Sequence, residues 1–142
     1  MATLETTERD ARRVQDNQAE LIERIGSATS GDGMVEPLPG LRLRRVSAPT
    51  AVAHGVSATA FCVTAQGSKE VMLGDRIYRY DPAHSLIATA TLPVTSRIVD
   101  ASPEQPFLNL LLQLDPTFVG SVMVESGFPA PRSQPTATAM AT

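Results

Sequence analysis

The most reactive side chains in this sequence are two imidazoles and one thiol: His54, His84 and Cys62. A first-row metal site needs three or four such ligands converging on one point. Two histidines far apart in the sequence do not supply them. Cys62 beside either histidine would have the groups of a nucleophilic dyad, but the spacing fixes no geometry for one. The thiol stands in the strand-like run Phe61–Gln66 with no basic residue near it in sequence to lower its pKa, and it reads as a buried structural cysteine. Gly31-Asp32-Gly33 is too short for a phosphate loop and lacks the lysine that follows one. No Gly-x-Ser-x-Gly elbow occurs, and the acidic residues are scattered. No catalytic residue, no metal and no cofactor is expected, and the chain does not read as an enzyme.

Recognition is the chemistry that remains. Tyr78 and Tyr80 each offer an apolar ring and a hydroxyl that wants a partner when buried. With Phe61 and Val63 on another strand and His54 at the mouth, they are the candidate wall of a lumen for a small organic molecule. The same five residues also read as plain core filling, as side chains fill small barrels.

These residues must be positioned by strands. Short β runs are punctuated by Gly67, Gly74-Asp75, Asp81-Pro82 and Leu92-Pro93, the rhythm of a compact all-β barrel. The spacing predicts strands at 41–46, 51–56, 60–66, 69–73, 76–80, 85–90, 95–100 and 107–114. Gly74-Asp75 makes a two-residue hairpin turn. It pairs Leu73 with Arg76, Val71 with Tyr78, and Glu70 with Arg79. Val71, Leu73, Tyr78 and Tyr80 then point inward, and Glu70–Arg79 is an expected surface ion pair. In 107–114, Leu108, Leu110, Leu112 and Leu114 form an expected core face. Arg42, Arg44 and Arg45, alternating with Leu41, Leu43 and Val46, read as a solvated strand face.

Around the barrel, residues 4–25 read as a helix with Val14, Leu21, Ile22 and Ile25 on one face and Gly26 as its stop. The unit 1–26 is thus an N-terminal helix, and 27–40 a Gly/Ser/Pro-rich linker or arm. The barrel spans 41–127 and includes a short helix over 116–125, capped by Asp115 with Pro116 at its first position and ended at Gly127. Residues 128–142 read as a disordered tail.

The 142 residues leave room for one domain with a core. Aromatics are only 4% and Trp is absent, so Leu, Val, Ile and Ala must build that core. A net charge of −3 gives no electrostatic reason to seek nucleic acid. A single cysteine excludes an internal disulfide and fits a reducing, cytoplasmic setting. No run approaches the roughly 18 apolar residues of a membrane span, and the polar N-terminus is not an export signal.

The ordered set Leu38-Pro-Gly-Leu-Arg-Leu-Arg-Arg-Val-Ser-Ala-Pro-Thr50, Ala65-Gln-Gly67, Leu73-Gly-Asp75, Tyr80-Asp-Pro82, Leu92-Pro-Val94 and Ala101-Ser-Pro-Glu104 resembles the N-terminal domain of AraC-type bacterial transcription regulators. The resemblance covers about residues 36–126. It implies a mainly β, cupin-like (double-stranded β-helix) barrel with an N-terminal helix and a short C-terminal helix. It also implies a domain that senses a small-molecule effector, or pairs two copies as a homodimer, and signals to helix-turn-helix units. No such units are expected in these residues, so this chain alone should not bind nucleic acid. The alternative is a small metal-dependent cupin enzyme with a degenerate site. Metal-binding cupins resemble one another in a His-x-His-x(3,4)-Glu stretch and a later histidine. Here His54 is followed by Val56 where the second histidine would stand, no glutamate follows at the right spacing, and the strand around Val94–Ile98 has no histidine.

Overall fold

The computed structural model describes residues 2–89, 91–127 and 137–141. It is mainly β, with ten strands in two antiparallel sheets and two helices among the described residues. The strands are β1 (Gly33–Leu38), β2 (Leu41–Val46), β3 (Ala53–Val56), β4 (Ala60–Gln66), β5 (Ser68–Leu73), β6 (Arg76–Tyr80), β7 (His84–Ala88), β8 (Pro93–Asp100), β9 (Phe107–Gln113) and β10 (Ala137–Ala141). Helix α1 (Ala2–Ala28) precedes them and α2 (Pro116–Glu125) follows β9. One sheet has six strands in the order β1-β2-β9-β4-β7-β10, and the other has four in the order β3-β8-β5-β6.

The β5–β6 hairpin has the expected register: Leu73 opposite Arg76, Val71 opposite Tyr78, Glu70 opposite Arg79. Gly74 takes a φ of 59° there, a conformation that only glycine adopts without steric cost. The ion pairing differs from expectation. Arg79 pairs with Asp100 of β8 at 2.7 Å, and Glu70 pairs with Arg97 of β8 at 2.8 Å. Because β5 lies between β6 and β8, each charge has a choice of neighbour, and the partners on β8 win. Helix α2 starts as read: the Asp115 side chain accepts from the Thr117 amide, and Pro116 follows.

Three elements depart from the sequence reading. Gly26 does not stop α1, which runs on to Ala28. The end comes at Thr29, whose amide and hydroxyl both bond the Ile25 carbonyl, at 3.1 and 2.7 Å. The expected arm over 27–40 contains β1, an edge strand whose register shifts between Val35 and Leu38. Pro37 falls in that shift, and an irregular edge is where a strand tolerates proline. Of the tail expected over 128–142, residues 137–141 pair as β10 with β7, while 128–136 and 142 lie outside the described residues.

The main apolar cluster lies on the outer face of the six-stranded sheet, under α1. Ile25, Leu43, Ala65 and Leu108 are buried there, with Leu21, Ile22, Leu41 and Leu110 packed against them. The expected leucine face of β9 is therefore core only in part: Leu108 is 2% exposed, but Leu112 is 40% exposed, beyond the helix. Gln18 ties α1 to the sheet by donating to the Ala65 carbonyl at 3.3 Å. Residues 7–17 of α1 are exposed.

Candidate functional site

Between the two sheets lies a cavity of about 350 Å³. Alternation decides which residues line it, since successive side chains of a strand point to opposite faces. The six-stranded sheet contributes Arg42 of β2, Ala60 and Cys62 of β4, Leu86 and Ala88 of β7, and Leu111 and Gln113 of β9. From the four-stranded sheet come Lys69, Val71 and Leu73 of β5, Tyr78 and Tyr80 of β6, and Val94 and Ser96 of β8. One parity holds on each of these strands. Val56, Ser57, Ala58, Thr89 and Leu92 complete the lining at one end. Val56, Ala58, Arg42, Thr89 and Gln113 are exposed, which makes that end the mouth. Two bonds draw its rim together: the Ser57 amide donates to the Leu92 carbonyl at 2.8 Å, and the Leu92 amide donates to the Ser57 hydroxyl at 3.0 Å. Further along the same inner faces, Phe107 and Ile98 are 0% and 2% exposed and close the other end.

Small side chains keep the space open. Ala60 and Ala88 are direct cross-strand partners, both buried, and Ser96 is on the facing sheet. The inner face of the six-stranded sheet is also unusually polar. Arg42 and Arg44 alternate with the apolar leucines that face α1. Arg44 pairs across to Asn109, and Asn109 to Thr64. The expectation of a solvated arginine face over Arg42, Arg44 and Arg45 holds only in part: Arg42 is exposed at the mouth, Arg44 is half-buried on the inner face, and Arg45, of opposite parity, donates to the Thr29 carbonyl on the α1 side.

Lys69 and Tyr80 stand opposite one another on β5 and β6, deeper than Leu73 and Tyr78. Burial pushes the Lys69 ammonium below its ordinary pKa, Arg44 adds to that, and Cys62 opposes it. The Tyr80 hydroxyl is buried with no hydrogen-bond partner among the described residues. Its pKa is pushed up to about 12, first by burial and then by Tyr78 and Cys62. Burial likewise raises the Cys62 thiol, with Lys69 acting against it. Cys62 therefore sits beside a lysine that is distant in sequence, yet it stays a protonated, weakly nucleophilic thiol.

Of the five candidate wall residues, the structure brings Tyr78 and Tyr80 together on the cavity wall, their rings stacked with centroids 6.4 Å apart. Phe61 and Val63 are not part of the lining. They pair with Leu112 and Leu110 and look to the outer, α1 side. The strand Ala60–Gln66 is apolar on both faces because both are covered, one by the helix and one by the second sheet, so its pattern could not say which face was inner. His54 is exposed on the edge strand β3 and pairs with Thr95, which alternates with the lining residues Val94 and Ser96, so it faces away from the mouth. Lys69 was missed although a signal existed: it lies two residues before Val71 and four before Leu73, on their face. His84 bonds the Asp81 carboxylate through Nδ1 at 2.8 Å in an exposed turn. Among the described residues, no three His, Cys, Asp or Glu side chains cluster so as to hold a metal ion, and no helix is long and apolar enough to cross a membrane.

Comparison with known proteins agrees with the motif order. A model of one protein family, the AraC-type transcriptional regulator N-terminus, matches residues 37–142. No curated protein and no solved structure matches the chain.

Proposed function

The chain belongs to the family of AraC-type transcriptional regulator N-termini, and on that premise we propose that its two-sheet unit is a cupin-like, effector-sensing domain of a cytoplasmic regulator. The observation that carries this reading is the hollow, polar space between the sheets. A sheet pair that only needed stability would fill its interior with large apolar side chains. Here one apolar cluster is gathered under α1, and Phe107 and Ile98 pack only the far end of the inter-sheet space. The inter-sheet space instead holds a cavity of about 350 Å³, within the roughly 300–1,000 Å³ range of small-molecule pockets. Apolar walls of Val71, Leu73, Leu86 and Leu111 supply affinity, and Tyr78, Tyr80 and Lys69 supply orientation. The domain binds without turnover, and occupancy is passed to the DNA-binding part of the regulator. Pairing of two copies, which family membership also suggests, belongs to the same proposal; sedimentation as a monomer with and without effector would remove that part.

A thermal-shift screen of small metabolites tests the sensing role. A true effector raises the melting temperature of the wild type, because a ligand that binds only the folded state stabilises it by mass action. Ala88→Leu fills the cavity just inside its mouth and should abolish that shift while still melting cooperatively. A shift that survives Ala88→Leu unchanged places the ligand elsewhere and contradicts the proposal.

A further inference from the structure

The charges around the cavity point to the class of its ligand. Two cationic side chains, Lys69 and Arg42, line it, and no acidic one does. Arg44 lies on the same inner face as Arg42 and acts electrostatically on Lys69. This local excess of positive charge is set in a chain whose net charge is −3. Three other arginines on the sheets are matched, Arg79 to Asp100, Arg97 to Glu70, and Arg45 to the Thr29 carbonyl, and Arg76 is exposed at the hairpin end. Among the described residues, Lys69 has no ion pair and no hydrogen-bond partner, although it is half-buried. Opposite it on β6 stands Tyr80, 4% exposed as a residue, whose hydroxyl is also unpartnered among the described residues. A half-buried cation and a buried hydroxyl, both unsatisfied, are costly unless something arrives to satisfy them.

We infer that the cavity takes a small organic anion, a monocarboxylate with a compact apolar body, whose carboxylate is held at the deep end by Lys69 and Tyr80. This rests on the effector-sensing reading and adds the ligand's chemistry to it. An ammonium and a phenolic hydroxyl are complementary to one carboxylate, which only accepts hydrogen bonds when ionised. A doubly charged group at the deep end would meet only one lining cation, Lys69, because Arg42 stands at the exposed mouth. The apolar body then lies toward the mouth against Val71, Leu73, Leu86 and Leu111, and Arg42 at the rim draws anions in.

Isothermal titration calorimetry on the 142-residue protein tests this, in a low-chloride buffer near pH 7. The probes are benzoate and hexanoate, their neutral amides benzamide and hexanamide, and inorganic phosphate. The acids should bind at least about tenfold more tightly than the amides, the gain expected of a charge-assisted hydrogen bond in an enclosed site. Lys69→Met should remove that preference and leave amide binding within about twofold, which also shows that the cavity survives the substitution. Tyr80→Phe should weaken the acids several-fold and serves as the second variant if Lys69→Met melts without cooperativity. Acids no tighter than amides, phosphate tighter than benzoate, or full acid affinity in both variants would overturn the anion assignment and leave sensing intact. No binding by any probe overturns the anion assignment. If the metabolite screen is empty as well, the sensing reading fails with it.

Discussion

Gly67 has a φ of 82°, and a Cβ added there would sit 2.5 Å from the Asp100 carbonyl oxygen and 3.0 Å from the Phe107 Cα. Both contacts are backbone, so no side chain can swing away. Gly67→Ala should lower the unfolding free energy by about 2 kcal/mol or more, read from urea denaturation. Lys69 carries the opposite prediction. Its half-buried ammonium is acted on by Arg44 and Cys62 and shares the cavity lining with Arg42 and Tyr80, with no carboxylate among them. In the folded state its pKa lies below the ordinary lysine value of 10.5, so between the two values the unfolded chain binds more protons. Stability therefore rises with pH through that window. Without ligand, Lys69→Met should be more stable than the wild type near neutral pH, and the gap should narrow as pH approaches 10.5. A variant less stable than the wild type at every pH would show that Lys69 has a partner in the folded protein. Lys69 was legible in the sequence only as a parity consequence of Val71 and Leu73. Its conflict with an apolar wall is what hid it.

The elements were more legible than the faces they present. β2, β4, β6 and α2 have the boundaries that pattern and turn chemistry predict, because Gly74-Asp75 and Asp115-Pro116 are local signals that tertiary context leaves in place. β1 was missed because Glu36-Pro37 reads as loop, and only its edge position reconciles proline with pairing. The inner face of β4 was misjudged, and the leucine face of β9 is core only in part, for a different reason. Helix α1 covers the outer face, so the usual rule that the apolar face looks inward fails for this sheet. That makes α1 a structural element, with Ile25 at its anchor, 2% exposed. Ile25→Ala should cost about 2–5 kcal/mol by cavity formation, measured by chemical denaturation. Val14→Ala, on the exposed stretch of the same helix, should change stability by less than about 0.5 kcal/mol. Equal costs at the two positions would mean that the outer half of α1 is also covered in solution.

At the scale of the whole molecule, two jobs are separated in space. Packing under α1 supplies stability, and the space between the sheets is left for a ligand. The sequence could reveal the family through its ordered turns, and through Tyr78 and Tyr80 one wall of the cavity. It could not reveal the hollow, which depends on Ala60 and Ala88 meeting across two strands. The direct test is where a ligand lands. Methyl-labelled protein titrated with benzoate, followed by two-dimensional NMR, reads this residue by residue. Shifts should concentrate at Val71, Leu73, Leu86 and Leu111, with Ile25, Leu43 and Leu108 under the helix unmoved. Shifts confined to the helix side, or none at saturating benzoate, would contradict a binding space between the sheets for small organic acids.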